Sequence, residues 1–364
     1  MEIKKYTAEN YRNIEYLELE PSNGINIIYG QNGQGKTNII EGIWLFTGCR
    51  SFRTSKCAEL VKNNENFAKI SLDFEAGDRL QNAEMIIDNK RQVRINGISQ
   101  ETPRRLLGTF RAVVFSPDSM AVVRDGPAEK RRFFNIALSL LRPQYANLLS
   151  RYLKTMAHRN ALLKQMSEKQ NDDLLDMWDE ELAKTGAKIT LARSRYVEEL
   201  SVEAKEIYFG ISGNKEELSL SYVPGFKTEG NEEEELKADL IAALKRSRQS
   251  DIRYQVTGAG PHKDDLNFCI GELCARSFGS QGQQRSCALA LKLGEAAILE
   301  KNCGERPVAL LDDVMSELDS SRQRDLLGFL KDWQVFITCC ETSVLHDMNI
   351  SSAFEVEGGR LFKR

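Results

Sequence analysis

One stretch of eight residues constrains this chain more than anything else in it. Gly30-Gln31-Asn32-Gly33-Gln34-Gly35-Lys36-Thr37 fits G-x-x-x-x-G-K-[ST]. It follows the apolar run from Ile25 to Tyr29 and precedes Ile39, Ile40, Ile43 and Trp44 at helical spacing. Strand, glycine loop and helix start in that order make a phosphate cradle. The loop turns its backbone N–H groups onto an anion and the helix start adds partial positive charge. Lys36 then reaches the β- and γ-phosphates, and the Thr37 hydroxyl is placed to ligate Mg²⁺. The plain alternative is a glycine-rich turn, against which the flanking strand and helix argue.

A second feature lies far downstream. Val308-Ala309-Leu310-Leu311-Asp312-Asp313 reads as a buried parallel strand with two carboxylates at its end. In a phosphoryl-transfer site, Asp312 would hold Mg²⁺, directly or through water, and Asp313 would orient the attacking water; Lys36, Asp312 and Asp313 are thus the catalytic candidates. Some 275 residues separate Thr37 from Asp312, which implies a large insertion between two halves of one head. The expected fold is α/β, a mixed sheet with flanking helices, built from residues 1–115 and 247–364. Residues 116–246 form the inserted, mainly helical arm.

Strand periodicity appears at residues 14–20, 70–74, 85–87, 112–115, 252–257, 266–270 and 335–337. The insertion has a different rhythm. Tyr145, Leu149, Tyr152, Met156, Leu163 and Met166 recur at helical spacing, broken only by Arg159, and Leu175, Trp178, Leu182, Ile189, Ala192 and Tyr196 repeat it after a polar turn at 167–173. Two antiparallel helices of roughly 23 to 35 residues follow, an arm of about 35–50 Å. The acidic run 229–235 reads as solvated surface, and a further helix is expected from Gln281 to about Leu299.

The net charge of −3 conceals an asymmetry: residues 1–160 hold 24 Lys and Arg against 17 Asp and Glu, and the remainder is acidic. The densest basic stretch includes Lys90, Arg91, Arg94, Arg104, Arg105, Arg131 and Arg132. It reads either as a track for a polyanion, with these seven as DNA-binding candidates, or as a solvated face. Eight cysteines show no C-x-x-C pair and no His at finger spacing, which points to reduced thiols and not to zinc. Cys269 and Cys274, the nearest approach to a ligand pair, sit in a strand or hairpin pattern. No apolar run reaches the ~20 residues of a membrane helix, so a cytoplasmic protein without membrane contact is expected.

About thirty residues before Asp312, Ser280-Gln281-Gly282-Gln283-Gln284 opens a helix, a second phosphate-seeking surface that suggests a partner's ATP. With the glycine loop and the aspartate pair it resembles the three marks of an ABC-type ATPase head, and Ser316-Glu317-Leu318-Asp319 is similar to that family's D-loop. The inserted helices are similar to the SMC-related branch. Asn10-Tyr11-Arg12-Asn13, residues 258–265 (Gly258-Ala259-Gly260-Pro261-His262-Lys263-Asp264-Asp265) and Gln334-Val335-Phe336-Ile337-Thr338 resemble the RecF family across nearly the whole chain.

The resemblance implies an ATP-gated homodimer. Two ATP molecules with Mg²⁺ would lie head to tail, each touching Lys36 and Thr37 of one chain and Ser280 and Gly282 of the other. It implies weak, DNA-stimulated ATP hydrolysis and binding of duplex DNA near single-strand gaps or junctions. It further implies work with RecO and RecR that helps load RecA in gap repair and the SOS response. Three departures from the ABC pattern stand out: Thr338-Cys339-Cys340 replaces the switch histidine, no Q-loop glutamine follows Val114-Phe115, and the second acid is Asp313 where Glu is common. The shorter side chain predicts turnover below about 1 s⁻¹. Arg12 would approach the nucleotide or make a strand-end salt bridge; His262 and Lys263 would sit near phosphates or simply in a turn. Rival readings are a transporter ATPase subunit, an SMC-like structural DNA tether and a P-loop kinase.

Overall fold

The computed structural model describes residues 1–117, 121–165, 172–340 and 349–364. Of the expected polar turn at 167–173, residues 167–171 lie outside them, and Asp172 and Asp173 begin a helix. The chain forms two compact units, Met1–Met120 with Ala288–Arg364, and Ala121–Cys287. Residues 247–287 thus cluster with the helical unit.

In chain order, the first segment holds β1 (Glu2–Tyr11), β2 (Ile14–Leu19), β3 (Ile25–Tyr29), α1 (Lys36–Leu45), β4 (Ala68–Ala76), β5 (Arg79–Ile87), β6 (Arg91–Ile95), β7 (Ile98–Gln100) and β8 (Ala112–Phe115). The second unit follows with α2 (Ala121–Arg124), α3 (Pro127–Leu141), α4 (Pro143–Gln165), α5 (Asp172–Ile211), β9 (Leu218–Val223), α6 (Glu233–Tyr254), β10 (Asp265–Ile270), β11 (Leu273–Cys274) and α7 (Ala275–Phe278). Helix α8 (Gln281–Cys303) leads back to the first unit, completed by β12 (Val308–Asp312), α9 (Ser320–Phe329), β13 (Val335–Cys339), β14 (Ile350–Glu357) and β15 (Arg360–Lys363).

The first unit has two six-stranded sheets. One is antiparallel, ordered β2-β1-β4-β5-β6-β7. Its strands alternate as a sheet with one packed face must: Ala68, Ile70, Leu72 and Phe74 of β4 are buried, as are Ala83, Met85 and Ile87 of β5. A bulge between Ile3 and Lys5 shifts the phase of β1, so that Ile3 and Tyr6, three residues apart, are both buried. The other sheet is ordered β15-β14-β3-β13-β12-β8, with every pair parallel except β14–β15. Val308 to Leu311 and Val335 to Ile337 are fully buried, as continuous apolar runs in a parallel sheet should be. Helix α1 lays Ile39, Ile40, Ile43 and Trp44 into this core.

In the second unit, α4 and α5 run antiparallel. Arg159 meets Asp179, Arg151 meets Glu181 and Tyr145 meets Arg193, so one residue number falls as the other rises. Helix α5 has 40 residues, about 60 Å, longer than the periodicity implied. Its pattern continues past Tyr196 through buried Leu200, Ala204 and Tyr208. Helix α6 packs beside it through Lys188–Glu233 and Arg248–Asp179.

The strand expected at 252–257 is instead the end of α6 and the turn after it. Ile252, Tyr254 and Val256 do alternate, but Tyr254 and Val256 are exposed. The buried groups are Thr257 and, just before the stretch, Asp251, which accepts hydrogen bonds from Arg159 and from the Gly258 N–H; the helix stops at Gln255 with φ 57°. A small antiparallel sheet, β11-β10-β9, completes the unit. No helix among the described residues is long and apolar enough to cross a membrane.

Candidate nucleotide-binding site

Three neighbouring parallel strands deliver the site at their carboxyl ends. Strand β13 lies between β3 and β12, with Thr338 in register between Ile28 and Asp312. The glycine loop leaves β3 and enters α1, whose cap residue is Gly35. Gly30 has φ 149°, and a Cβ there would come within 2.4 Å of the Val356 carbonyl oxygen, so a side chain would displace the loop from β14. Asn13 steadies the far side: its Nδ2 donates to the Gly33 carbonyl at 3.1 Å and its Oδ1 accepts from Asn38 at 2.7 Å.

The functional atoms converge. Lys36, 4 % exposed, donates from Nζ to the carbonyls of Gly30 (2.6 Å) and Gln31 (3.1 Å). Thr37 Oγ1 donates to Asp312 Oδ1 at 2.8 Å, and Thr338 Oγ1 donates to the same oxygen at 2.9 Å. Thr338 Oγ1 in turn accepts the Asp313 N–H at 2.9 Å, so one hydroxyl ties both acids to β13. Asp313 takes φ 52°, a left-handed conformation uncommon outside glycine and often found at functional sites. Burial, with a smaller push from Asp313, raises the Asp312 carboxyl above its ordinary value; the two hydroxyls oppose that rise.

These groups border a cavity of about 250 Å³ lined by Asn13, Asn32, Gly33, Lys36, Arg53 and Asp313, among others. Arg53 and Asn38 were not singled out in the sequence, and Asn13 and Thr338 were noted there without a role. Arg53 Nη1 donates to Asn38 Oδ1 at 2.6 Å. Nothing local to residue 53 marks it; only the fold brings it to the loop.

Arg12 does not reach this cavity and takes the salt-bridge alternative. Its Nε and Nη2 donate to the two oxygens of buried Glu41 at 2.9 and 2.7 Å, and its Nη1 donates to the Glu59 carbonyl. The lining residue is its neighbour, Asn13. His262 likewise serves a turn: its ring bonds the Tyr152 hydroxyl at 2.7 Å and the Thr257 carbonyl at 2.9 Å, and burial pushes its pKa down to about 4.

The other motifs stand as follows. Ser280 and Gln283 form a reciprocal capping box at the start of α8: the Ser280 N–H donates to Gln283 Oε1 at 2.8 Å and the Gln283 N–H to Ser280 Oγ at 3.2 Å. Gln284 Nε2 donates to the carbonyls of Ala275, Arg276 and Gly279, while Gln281 is exposed and Gly282 half-buried. Ser316 Oγ donates to the Asp313 carbonyl at 2.9 Å, Glu317 and buried Leu318 follow, and Asp319 caps α9. The D-loop-like segment is therefore tied directly to the second acid.

The basic stretch is divided between the units, and part of it is spent internally. Arg91 donates to the Cys49 carbonyl at 2.6 Å, and burial lowers its pKa. Arg131 donates to the Asp264 carbonyl and Arg132 pairs with Glu129. Lys90, Arg94, Arg104 and Arg105 are exposed.

With this geometry in place, comparison with known proteins is informative. Residues 2–360 match the family described as "RecF/RecN/SMC N terminal domain". "DNA replication and repair protein RecF" of Lachnospira eligens is 37% identical over 99% of both chains, and that of Acetivibrio thermocellus is 37% identical over 100% of both. A solved structure of "the recombination mediator protein RecF-ATP in RecFOR pathway" superposes with TM-score 0.93 at 35% identity, covering 100% of this chain and 97% of that one. An Smc head bound to a ScpA domain, 16% identical with TM-score 0.57, shares the fold, covering 100% of this chain and 98% of its own. With an ATPase-head fold of the ABC and SMC type, near-complete coverage and 37% identity to the curated relatives, this chain belongs to the RecF family.

Proposed function

We propose that this chain is an ATP-dependent, DNA-binding recombination mediator whose nucleotide joins two copies head to tail. The observation that carries the reading is the convergence of Lys36, Thr37, Asp312, Asp313 and Thr338 at the ends of β3, β12 and β13. That is a phosphoryl-transfer site in which the protein positions groups and balances charge. The relatives solved with ATP support the choice of nucleotide.

In this reading the loop N–H groups and Lys36 bind the β- and γ-phosphates, with Lys36 exchanging its two loop carbonyls for phosphate oxygens. Thr37 Oγ1 and Asp312 Oδ1, hard oxygen donors 2.8 Å apart, fit Mg²⁺, which takes few protein ligands and keeps several waters. The metal would supply charge neutralisation at the phosphates. Asp313 orients the water that attacks the γ-phosphorus as the bond to the departing ADP breaks. Ser280 and Gly282 of a second copy complete the phosphate shell, because a helix start carries partial positive charge that favours an anion.

ATP loss then leaves facing positive groups unneutralised, so slow, DNA-stimulated hydrolysis opens the dimer. The closed dimer holds duplex DNA near single-strand gaps, and with RecO and RecR it promotes RecA loading. Sedimentation of the full chain without ATP, with ATP and then with added duplex tests the scheme. The expected result is monomer, dimer and dimer–DNA complex in turn. A chain that stays monomeric at saturating ATP, or a Ser280→Arg variant that dimerises normally, overturns it.

A further inference from the structure

Two of the eight cysteines face each other. Strands β10 and β11 form a hairpin closed by Ile270 opposite Leu273, and the next pair is Cys269 opposite Cys274. Gly271, the first of the two turn residues, has φ 59°, as a tight hairpin turn of this length requires. When a two-residue turn closes on a hydrogen-bonded pair, the following pair is a non-hydrogen-bonded one, with Cα atoms about 4.5 Å apart and both side chains on one face. That spacing lies at the short end of the roughly 4.4–6.8 Å window for disulfides. Both thiols are free and partly exposed, and no other two cysteines among the described residues pair across strands.

The position of the pair gives it consequence. Cys274 ends β11 and caps α7; α7 runs to Phe278, followed by Gly279 and Ser280. Gln284 Nε2 is bonded to the carbonyls of Ala275, Arg276 and Gly279, so the α7 turn and the start of α8 move as one piece. Phe278, 69 % exposed, rides on that piece. A covalent tether at Cys274 is therefore transmitted to Ser280 without passing through a flexible segment.

We propose that Cys269 and Cys274 are an oxidation site that forms a reversible cross-strand disulfide and thereby misplaces the Ser280–Gln284 helix start. The thiolate of Cys274 attacks a peroxide oxygen, cleaving the O–O bond to give a sulfenic acid and hydroxide, which takes up the proton the thiol released and leaves as water. The Cys269 thiol then attacks that sulfur and releases a second water. Two sulfurs lose two electrons in total and the peroxide gains them. Backbone N–H groups at the start of α7, Ser277's foremost, hold the Cys274 thiol below its ordinary pKa, as a first nucleophile should be. Most disulfides sit at about 5.5–6 Å, so bonding a pair about 4.5 Å apart pushes Cys274 away from Cys269, and a bond between two partly exposed cysteines is open to reduction by a dithiol. The effect on pairing of two copies rests on the function proposed above; the bond itself does not.

The test uses the full chain, first reduced and then exposed to hydrogen peroxide. Remaining thiols are alkylated, and the peptides are mapped by mass spectrometry. Expected is a peptide containing Cys269 and Cys274 that is two hydrogens lighter and unalkylated, restored by dithiothreitol and absent in Cys269→Ser. ATP-driven dimerisation should be lost in the oxidised wild type and retained in peroxide-treated Cys269→Ser, whose melting curve should match the untreated protein. Alkylation of both cysteines after peroxide exposure, with exposed Cys340 consumed instead, overturns the site. Bond formation with unchanged dimerisation overturns its coupling to the signature helix. If even the reduced protein fails to dimerise, the functional reading has failed while the mapped bond still decides the site.

Discussion

The glycine-loop region and the helical unit both bury charge, yet they balance it differently. Around the loop, Asp312 is steadied by two hydroxyls and Lys36 by two carbonyls, all neutral partners. In the helical unit, Arg159, fully buried, meets Asp179 at 2.6 Å and Asp251 at 2.7 Å, and Arg193 meets Asp264 at 2.5 Å. Charge held by neutral groups is ready to meet a charged ligand, whereas charge held by opposite charge is already spent on architecture. Glu41 shows that the contrast follows local role and not the unit, for it lies on α1 yet is fully paired with Arg12.

The contrast is open to direct attack, first where the largest effect is expected. Arg159→Ala leaves buried Asp251 without a cation and Asp179 with Arg248 alone, and should destabilise the chain by about 3–5 kcal/mol in urea denaturation, with nucleotide affinity unchanged in the folded fraction. A milder loss would mean that water replaces the guanidinium. Lys36→Ala should do the reverse. Removing one charge-assisted contact costs roughly 1.5–3 kcal/mol, a weakening of about 10- to 100-fold read by titration with a fluorescent ATP analogue, while the melting temperature barely moves.

A pH series separates the regions next. His262 is buried neutral with its folded pKa pushed down to about 4, below the unfolded value near 6.5. Its contribution is fully present above about pH 6.5 and is lost as the pH falls towards 4. From about pH 7.5 to pH 5 the loss from this group is about 2 kcal/mol, and His262→Gln should flatten that part of the stability profile. The smallest expected effect is at Thr338. Thr338→Val keeps the shape but removes the hydroxyl between the two acids. It should cut ATP turnover about tenfold, worth ~1.4 kcal/mol, at unchanged ATP affinity, and Thr338→Ser should restore it.

Much of this was legible in the chain before folding was considered. The glycine loop, the strand ending in Asp312 and the helix starting at Gln281 all lie where residue order placed them, because each is a contiguous segment whose backbone conformation is set by its own residues. Arg159 was visible only as a break in an apolar stripe. Its meaning required Asp179 and Asp251, 20 and 92 residues away. The 252–257 stretch misled for the same reason: an alternating apolar pattern does not say whether its face meets a core or water, and here the buried residues are polar ones at its margins, Asp251 just before it and Thr257 at its end.

Sequence alone, then, determined what kind of site this protein has, since phosphate cradling depends on consecutive N–H groups and on glycines at set intervals. Only the tertiary structure decided which side chains furnish it. Asn13 and Arg53 line the cavity while Arg12 turns to Glu41, and Thr338 stands between the acids because β13 is inserted between β3 and β12. That strand order joins segments some three hundred residues apart, and no local propensity carries the register in which they meet.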